Sequence, residues 1–467
     1  MRQLRPRDSA YVYLDDTHLA ATVVSCWVLA HPDGGPCGLD PETVTATLLE
    51  RLGADEIFAS VLFRLPGDIG HPYWVHRPDL DLTRHIRFHP PVGSTWPQAQ
   101  SILATIADTP FDFHRPLWNV DVIADVSGVP DRVGLATIVA ISFHHAAFDG
   151  IGWEETMHRL LTDDPDDLPP VEPRSIGGRD RSTARLVARE VLIAPAVWGR
   201  FGVNVIRAVH EGITGTRRAD RPDSPGTPAP STRFNTGIRG RRNADYVEFA
   251  LDDAKRIKNL IPGATVNDVL LSIVGGAMQN HLASLGEAPT TSMRAIVPMS
   301  TRKEIHSDAA NQFLPLAIDM HTTTNDLSTR IAAITATTAA EKQRAATTMR
   351  SRYWRMVFSV PAPVLRLLGV LTRFSERRRA PRSTVNTAFS SVINHTPIAS
   401  MLGVPTASGF GFAPLGAWST ITHFVVSGLG RLMIVVTADD EVLPDIANYS
   451  DALRESVRAH LALVTDG

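Results

Sequence analysis

Residues 134–143, GLATIVAISF, carry β-branched and small apolar side chains with a single threonine and a single serine among them. A run of this length and composition reads as a strand buried inside a sheet. ATVVSCWVLAH (21–31) reads the same way. PQAQSILATIADTPF (97–111) is different: Ala99, Ile102, Leu103, Ile106 and Ala107 recur at helical spacing and share one face. The second half repeats the mixture. DDAKRIKNLI (252–261) and TVNDVLLSIVGGAMQNHLASLG (265–286) read as helices. RAIVPMS (294–300) and RLMIVVTADD (431–440) read as strands, and PDIANYSDALRESVRAHLALV (444–464) as a closing helix.

At 467 residues the chain is too long for one small core, and two domains of about 150–230 residues are the natural division. Two breaker-rich segments mark the division: TDDPDDLPPVEPRSIGGRDRS (162–182) and TRRADRPDSPGTPAPSTR (216–233). A basic amphipathic stretch, ARLVAREVLIAPAVWGRFGVNVIRAVHEG (184–212), lies between them. The expected architecture is α/β (α+β): an N-terminal lobe over 1–165, a crossover over 166–233 and a C-terminal lobe over 234–467. No repeat of 20–50 residues is visible, which argues against a solenoid.

Charge narrows the partners. With 46 basic and 49 acidic residues the net charge is −3, so no global positive field exists to hold nucleic acid. Cys26 and Cys37 are too few for a disulfide framework and do not make a metal site by themselves. The N-terminal segment lacks an apolar signal core. No apolar run reaches the roughly 18 residues of a membrane span. The expectation is a cytoplasmic protein that is free to touch a membrane surface.

The sharpest feature follows the first strand: FHHAAFDG (143–150). Strand alternation puts Leu135, Thr137, Val139, Ile141, Phe143 and His145 on one face and Ala136, Ile138, Ala140, Ser142 and His144 on the other. The two imidazoles therefore point apart and do not share a job. Gly150 suits a tight turn, and Asp149 can fix that turn or pair with a cation. A histidine at a strand mouth can carry a proton in either direction near neutral pH; such a pair also occurs as a hydrogen-bonded core edge. Rival chemistries fit poorly. No glutamate follows a histidine in HExxH spacing, no serine sits in G-x-S-x-G, and no GxxxxGK[ST] loop occurs. GFGFAP (409–414) imitates the start of a dinucleotide loop, but proline takes the last position and no helix follows. What remains is a histidine base without a nearby protein nucleophile, as direct transfer to a bound hydroxyl or amine requires.

FHHAAFDG resembles the HHxxxDG motif of the CoA-dependent acyltransferase superfamily, which includes chloramphenicol acetyltransferase and peptide-synthetase condensation domains. An ordered set of further matches resembles the bacterial wax ester synthase / acyl-CoA:diacylglycerol acyltransferase family. They are MRQLRPRDSAYVYLDD (1–16), RPLWNVDVI (115–123), FNTGIRGRR (234–242), TVNDVLLSIVGGAMQNHL (265–282), RAIVPMSTR (294–302) and VVTADDEVLPD (435–445), and they cover nearly the whole chain. The resemblance implies two chloramphenicol-acetyltransferase-like lobes with the active site in a tunnel where they meet. It implies fatty acyl-CoA as co-substrate, no resident cofactor or metal, and diacylglycerol or a long-chain alcohol as acceptor. His145 would be the general base, Asp149 a structural support and His144 secondary. Trp118 of the PLW segment, Gly150, Asn267 and Asp268 are candidates for substrate binding; at a helix start Asn267 or Asp268 would equally cap free amides.

Two departures bear on the acceptor. SSVINHTPI (390–398) stands where the family carries an SNVPGP-like turn, and Ala310 replaces a glycine before Asn311 and Gln312. They leave open a catalytically weak lipid-binding relative, or a transferase acylating a polyketide or glycolipid hydroxyl. Finally, 349–382 mixes apolar residues with Arg350, Arg352, Arg355, Arg373 and Arg377 to Arg379. That mixture suits an anionic lipid surface or lipid droplet, and equally an ordinary helical hairpin with a solvated basic face.

Overall fold

The structure is a computed structural model of the chain. It describes residues 1–15, 21–53, 55–89, 94–147, 156–157, 160–163, 182–217, 229–300, 313–349, 359–376, 384–393, 398, 400–416 and 419–465. The first half runs β1 (Arg2–Gln3), α1 (Pro6–Leu14), β2 (Thr22–Leu29), α2 (Pro41–Leu52), β3 (Ser60–Phe63), β4 (Tyr73–His76), β5 (Ile86–His89), α3 (Trp96–Asp108), β6 (Trp118–Ser127) and β7 (Leu135–His144). A long helix, α4 (Thr183–Arg217), follows. The second half runs β8 (Arg242–Ala250), α5 (Leu251–Asn259), α6 (Val266–Ser284), β9 (Arg294–Ser300), β10 (Phe313–Asp319), α7 (Leu327–Met349) and α8 (Ala362–Glu376). It ends with β11 (Thr387–Ile393), β12 (Ser400–Met401), β13 (Val404–Phe412), β14 (Ile421–Gly428), β15 (Arg431–Asp439) and α9 (Ile446–Thr465).

Two six-stranded mixed sheets carry the molecule. The first has the order β12-β13-β2-β7-β6-β5 and the second β10-β9-β11-β14-β15-β8. In the first only β5 and β6 run parallel; in the second β11 is parallel to both β9 and β14. Strand β7 is covered on both faces, as its composition requires. Val139, Ile141 and Phe143 pack with Val44, Leu48 and Leu52 of α2. Ala136, Ile138 and Ala140 face Ala99, Leu103, Ile106 and Ala107 of α3, the helical face expected from spacing. A third, three-stranded sheet, β1-β4-β3, seats α4: Glu190 of that helix accepts from Tyr73 Oη at 2.8 Å and Gln3 Nε2 at 3.2 Å.

The lobes are not independent layers, because β13 leaves the second half and adds itself to the first sheet beside β2. GFGF, set aside above as an imitation loop, forms the last four residues of that strand. Phe410 stacks on Tyr246 of β8, with ring centroids 5.1 Å apart, and Trp96 of α3 meets Phe410 edge-on at 5.5 Å. Gly411 is required by close approach: a Cβ there would lie 2.4 Å from the Val24 carbonyl oxygen of β2. The result is one hydrophobic core that runs from β2 and α3 across to Met433 and Val435 of β15.

Candidate active site

Strand β7 ends where the two histidines begin to differ. The His144 backbone N–H donates to Leu117 O at 3.0 Å, toward β6, and the His145 N–H donates to Ala21 O at 2.9 Å, on the side of β2. The His144 ring is fully buried, with Phe111 and Phe113 edge-on to it. Its Nδ1 accepts the Ala146 N–H at 3.1 Å. That nitrogen is therefore unprotonated, and the neutral ring carries its proton on Nε2. Nε2 lies 3.6 Å from Asp15 Oδ2, inside ion-pair range and beyond direct hydrogen-bond length. His144 is committed to shaping the turn.

His145 is half-buried. Its ring lies flat against the ring of Tyr11 of α1, with centroids 4.2 Å apart and planes within 2°. A strand end thus fixes the His145 backbone while a helix fixes its ring plane. Asp15, just beyond α1, ties the two together, since its Oδ1 accepts the Ala21 N–H at 2.8 Å. Neither Tyr11 nor Asp15 was singled out by motif or spacing; both lie inside the matched opening MRQLRPRDSAYVYLDD, where only the resemblance pointed.

The other sequence candidates are placed less evenly. Asp149 and Gly150 lie outside the described residues. Trp118 is paired with Phe143 in the β6–β7 register, near the same sheet end. It is buried against Phe58 and His85, and its Nε1 donates to Phe58 O at 2.8 Å. Asn267 and Asp268 lie in the second lobe, in the first turn of α6. Asp268 closes a capping box: its Oδ2 accepts from the Thr265 N–H at 2.8 Å and Oγ1 at 2.7 Å, while its own N–H reaches Thr265 Oγ1. The side chain that caps from the N-cap position is Thr265's.

Both cysteines are buried. Cys26 is fully buried, and burial first and Asp121 second push its thiol well above the usual range. Cys37 is buried with its thiol directed to Leu29 O. Among the described residues no group of three His, Cys, Asp or Glu side chains is arranged to hold a metal ion. Among the buried histidines of the second lobe, His423 and His460 are fully enclosed. His423 lies between Thr387 Oγ1 and Tyr449 Oη at 2.9 and 2.7 Å, and His460 between Ser456 O and Ser272 Oγ at 2.7 and 2.8 Å. Burial pushes them down to about 3 and about 4 respectively, so both are neutral core groups.

Residues 4–270 match the family model of the wax ester synthase/diacylglycerol acyltransferase catalytic domain, and residues 309–459 match that of the WS/DGAT C-terminal domain. A Mycobacterium tuberculosis H37Rv relative is 28% identical over 309 residues, which is 64% of this chain and 63% of the relative. The chain thus aligns with under two thirds of that relative's length. A second relative from the same strain is 24% identical over an alignment covering all of this chain and 91% of its own. Both carry diacylglycerol O-acyltransferase names that are themselves provisional. Among solved structures, the wax ester synthase/diacylglycerol acyltransferase of Marinobacter aquaeolei VT8 superposes with a TM-score of 0.65 at 20% identity, over 99% of both chains.

Proposed function

The chain belongs to the wax ester synthase/diacylglycerol acyltransferase family, and we propose accordingly that it moves a long-chain fatty acyl group from acyl-CoA to a hydroxyl, that of diacylglycerol or of a long-chain alcohol. His145 is the general base. The observation that carries this reading is a half-buried imidazole at a strand mouth, held by its backbone at Ala21 and by its ring face at Tyr11.

In the reaction, His145 takes the proton of the acceptor hydroxyl as that oxygen attacks the thioester carbonyl carbon. The tetrahedral oxyanion then collapses, the carbon–sulfur bond breaks, and the imidazolium returns its proton to the departing CoA sulfur. No acyl-enzyme forms, which agrees with both cysteines being buried. Proton transfer of this kind contributes about 10²–10⁴-fold. Excluding water matters as much, because thioester hydrolysis is the competing reaction.

The test is radiolabelled palmitoyl-CoA with diolein or hexadecanol as acceptor. Label is expected in triacylglycerol or wax ester, and His145→Ala is expected to lose it by at least about 10²-fold. Turnover unchanged in that variant removes the base. Lipid binding without any turnover in the parent protein supports a silent lipid-binding relative instead, and preference for a carrier-protein thioester over CoA supports a transferase of another pathway class.

A peripheral lipid contact belongs to the same proposal, and one observation favours it. Helix α4 leaves Leu192 80% and Ile206 69% exposed, with Val191, Trp198, Val203 and Val209 beside them, and α8 leaves Leu367, Leu368 and Leu371 exposed. Arg200 and Arg207 are exposed along α4. Asn204 of α4 donates at 2.9 Å to Oγ of Ser359, which precedes α8 in the chain, and α8 shares a small core with Tyr13 of α1, the helix that carries Tyr11. Apolar faces rimmed by arginine suit an anionic bilayer. Among the described residues no helix is long and apolar enough to cross one. Arg350, Arg352, Arg355 and Arg377 to Arg379, expected to contribute, lie outside the described residues. Leu192→Glu with Ile206→Glu is expected to abolish flotation with phosphatidylglycerol liposomes; retained flotation removes this surface from consideration.

A further inference from the structure

The second lobe reaches the start of β2, the neighbour of the histidine strand, through a buried cation. Arg242 opens β8 and is 5% exposed. Its Nε donates to Asp108 Oδ1 at 2.8 Å and its backbone N–H to Asp108 Oδ2 at 2.9 Å, which ties it to the end of α3 in the first lobe. Its Nη1 donates to Thr22 O at 2.9 Å. Thr22 is the first residue of β2 and stands opposite His144 in the register. One residue earlier, Ala21 accepts the His145 N–H on its carbonyl and donates its own N–H to Asp15.

The guanidinium stands where a strand would otherwise stand. Pairing between β13 and β2 stops at Phe412 with Val24, and Thr22 O, two residues further along β2, is satisfied by Arg242 instead. The loop that aims Arg242 has no slack. Asp439 accepts the backbone N–H groups of Arg239, Gly240 and Glu441 at 2.6, 3.1 and 2.9 Å, and Asp440 accepts that of Arg241 at 2.8 Å. A Cβ on Gly240 would lie 2.0 Å from Asp440 Oδ1. Carboxylates at the end of β15 therefore wind the approach to β8 into a fixed shape, and that shape delivers the guanidinium to the first lobe.

We propose that Arg242 is a positioning residue for His145: it pins the start of β2, the segment to which the His145 backbone is anchored, and so makes the placement of the base depend on docking of the two lobes. This rests on the reading of His145 as the base. A displacement of about 1 Å at a reacting group costs about 10²-fold, so the effect falls on turnover. Arg132 offers the contrast. It also crosses between the lobes, from Nη2 to Glu248 Oε2 at 2.8 Å and Ala407 O at 2.9 Å, but it touches neither Ala21 nor Thr22.

The experiment measures steady-state transfer from palmitoyl-CoA to diolein by the full chain, with thermal melts of each variant. Arg242→Ala is expected to lower kcat by about 10²-fold while KM for palmitoyl-CoA stays within about threefold of the parent, and millimolar guanidinium is expected to restore part of the loss. Arg242→Lys, which keeps the charge but not the fork, is expected to fall between, and serves if the alanine variant does not fold. Arg132→Ala is expected to lower the melting temperature and leave kcat intact. Parent-level kcat in Arg242→Ala or Arg242→Lys, with His145→Ala inactive, overturns the positioning role alone; so does a loss that guanidinium does not relieve and that Arg132→Ala reproduces. An active His145→Ala overturns the base, and this role with it.

Discussion

His144 and His145 are identical side chains one residue apart, and the end of β7 separates their fates. His144, the last residue of the strand, lies under Phe111 and Phe113, while His145, the first residue of the turn beyond it, lies on Tyr11. That the two rings part was legible from strand spacing. The Tyr11 stack was not, because it joins helix to strand across a long stretch of chain, and nothing local marks a ring as the cover of another. Gly411 is a similar case, a residue whose reason lies on a distant strand. Gly411→Ala is expected to destabilise by about 1–3 kcal/mol, because the new methyl meets a backbone oxygen of β2 and not a side chain that can swing away. Urea unfolding reads this as a lower midpoint at unchanged slope; an unchanged midpoint would mean that β13 can shift without cost.

Helices and strands with strong periodicity came out where composition put them. The helix expected over 265–286 is α6, Val266–Ser284, and the run at 431–440 is β15, Arg431–Asp439. The capping question at the start of α6 has a sharper answer than the sequence allowed. Thr265 occupies the N-cap, Asp268 completes the box, and Asn267 lies between them in the first turn. Thr265→Ala is therefore expected to cost about 1 kcal/mol, seen as a lower melting temperature with transfer activity retained. Asn267→Ala is expected to leave the melting temperature unchanged. If that variant loses activity at unchanged stability, Asn267 belongs to the substrate site after all. Strand β13 was one of several elements that escaped, since two phenylalanines alternating with glycines look like a loop until β2 stands beside them.

The molecule as a whole is two mixed sheets sewn together by an exchanged strand, a shared core and the Arg242 and Arg132 crossings. Part of its response to acid follows from groups far from His145. His423 and His460 titrate in the folded protein near 3 and 4, against about 6.5 for the unfolded chain. The unfolded state therefore binds protons first as pH falls. Stability should decline from about pH 6.5 downward, by roughly 1.4 kcal/mol per pH unit for each histidine, until the folded values are reached. Replacing His460 by Gln, whose amide can still face Ser272, is expected to flatten that decline between pH 6.5 and 4 in thermal melts; an unchanged slope would mean that other groups dominate acid unfolding. The two-lobed α/β class, the buried strands and the motif that ends one of them followed from local pattern, because burial imposes a period on each segment that neighbours in the chain reveal. The exchanged strand, the ring over His145 and the arginine that braces its anchor are contacts between segments remote in sequence, and close packing chooses them only once both lobes are in place.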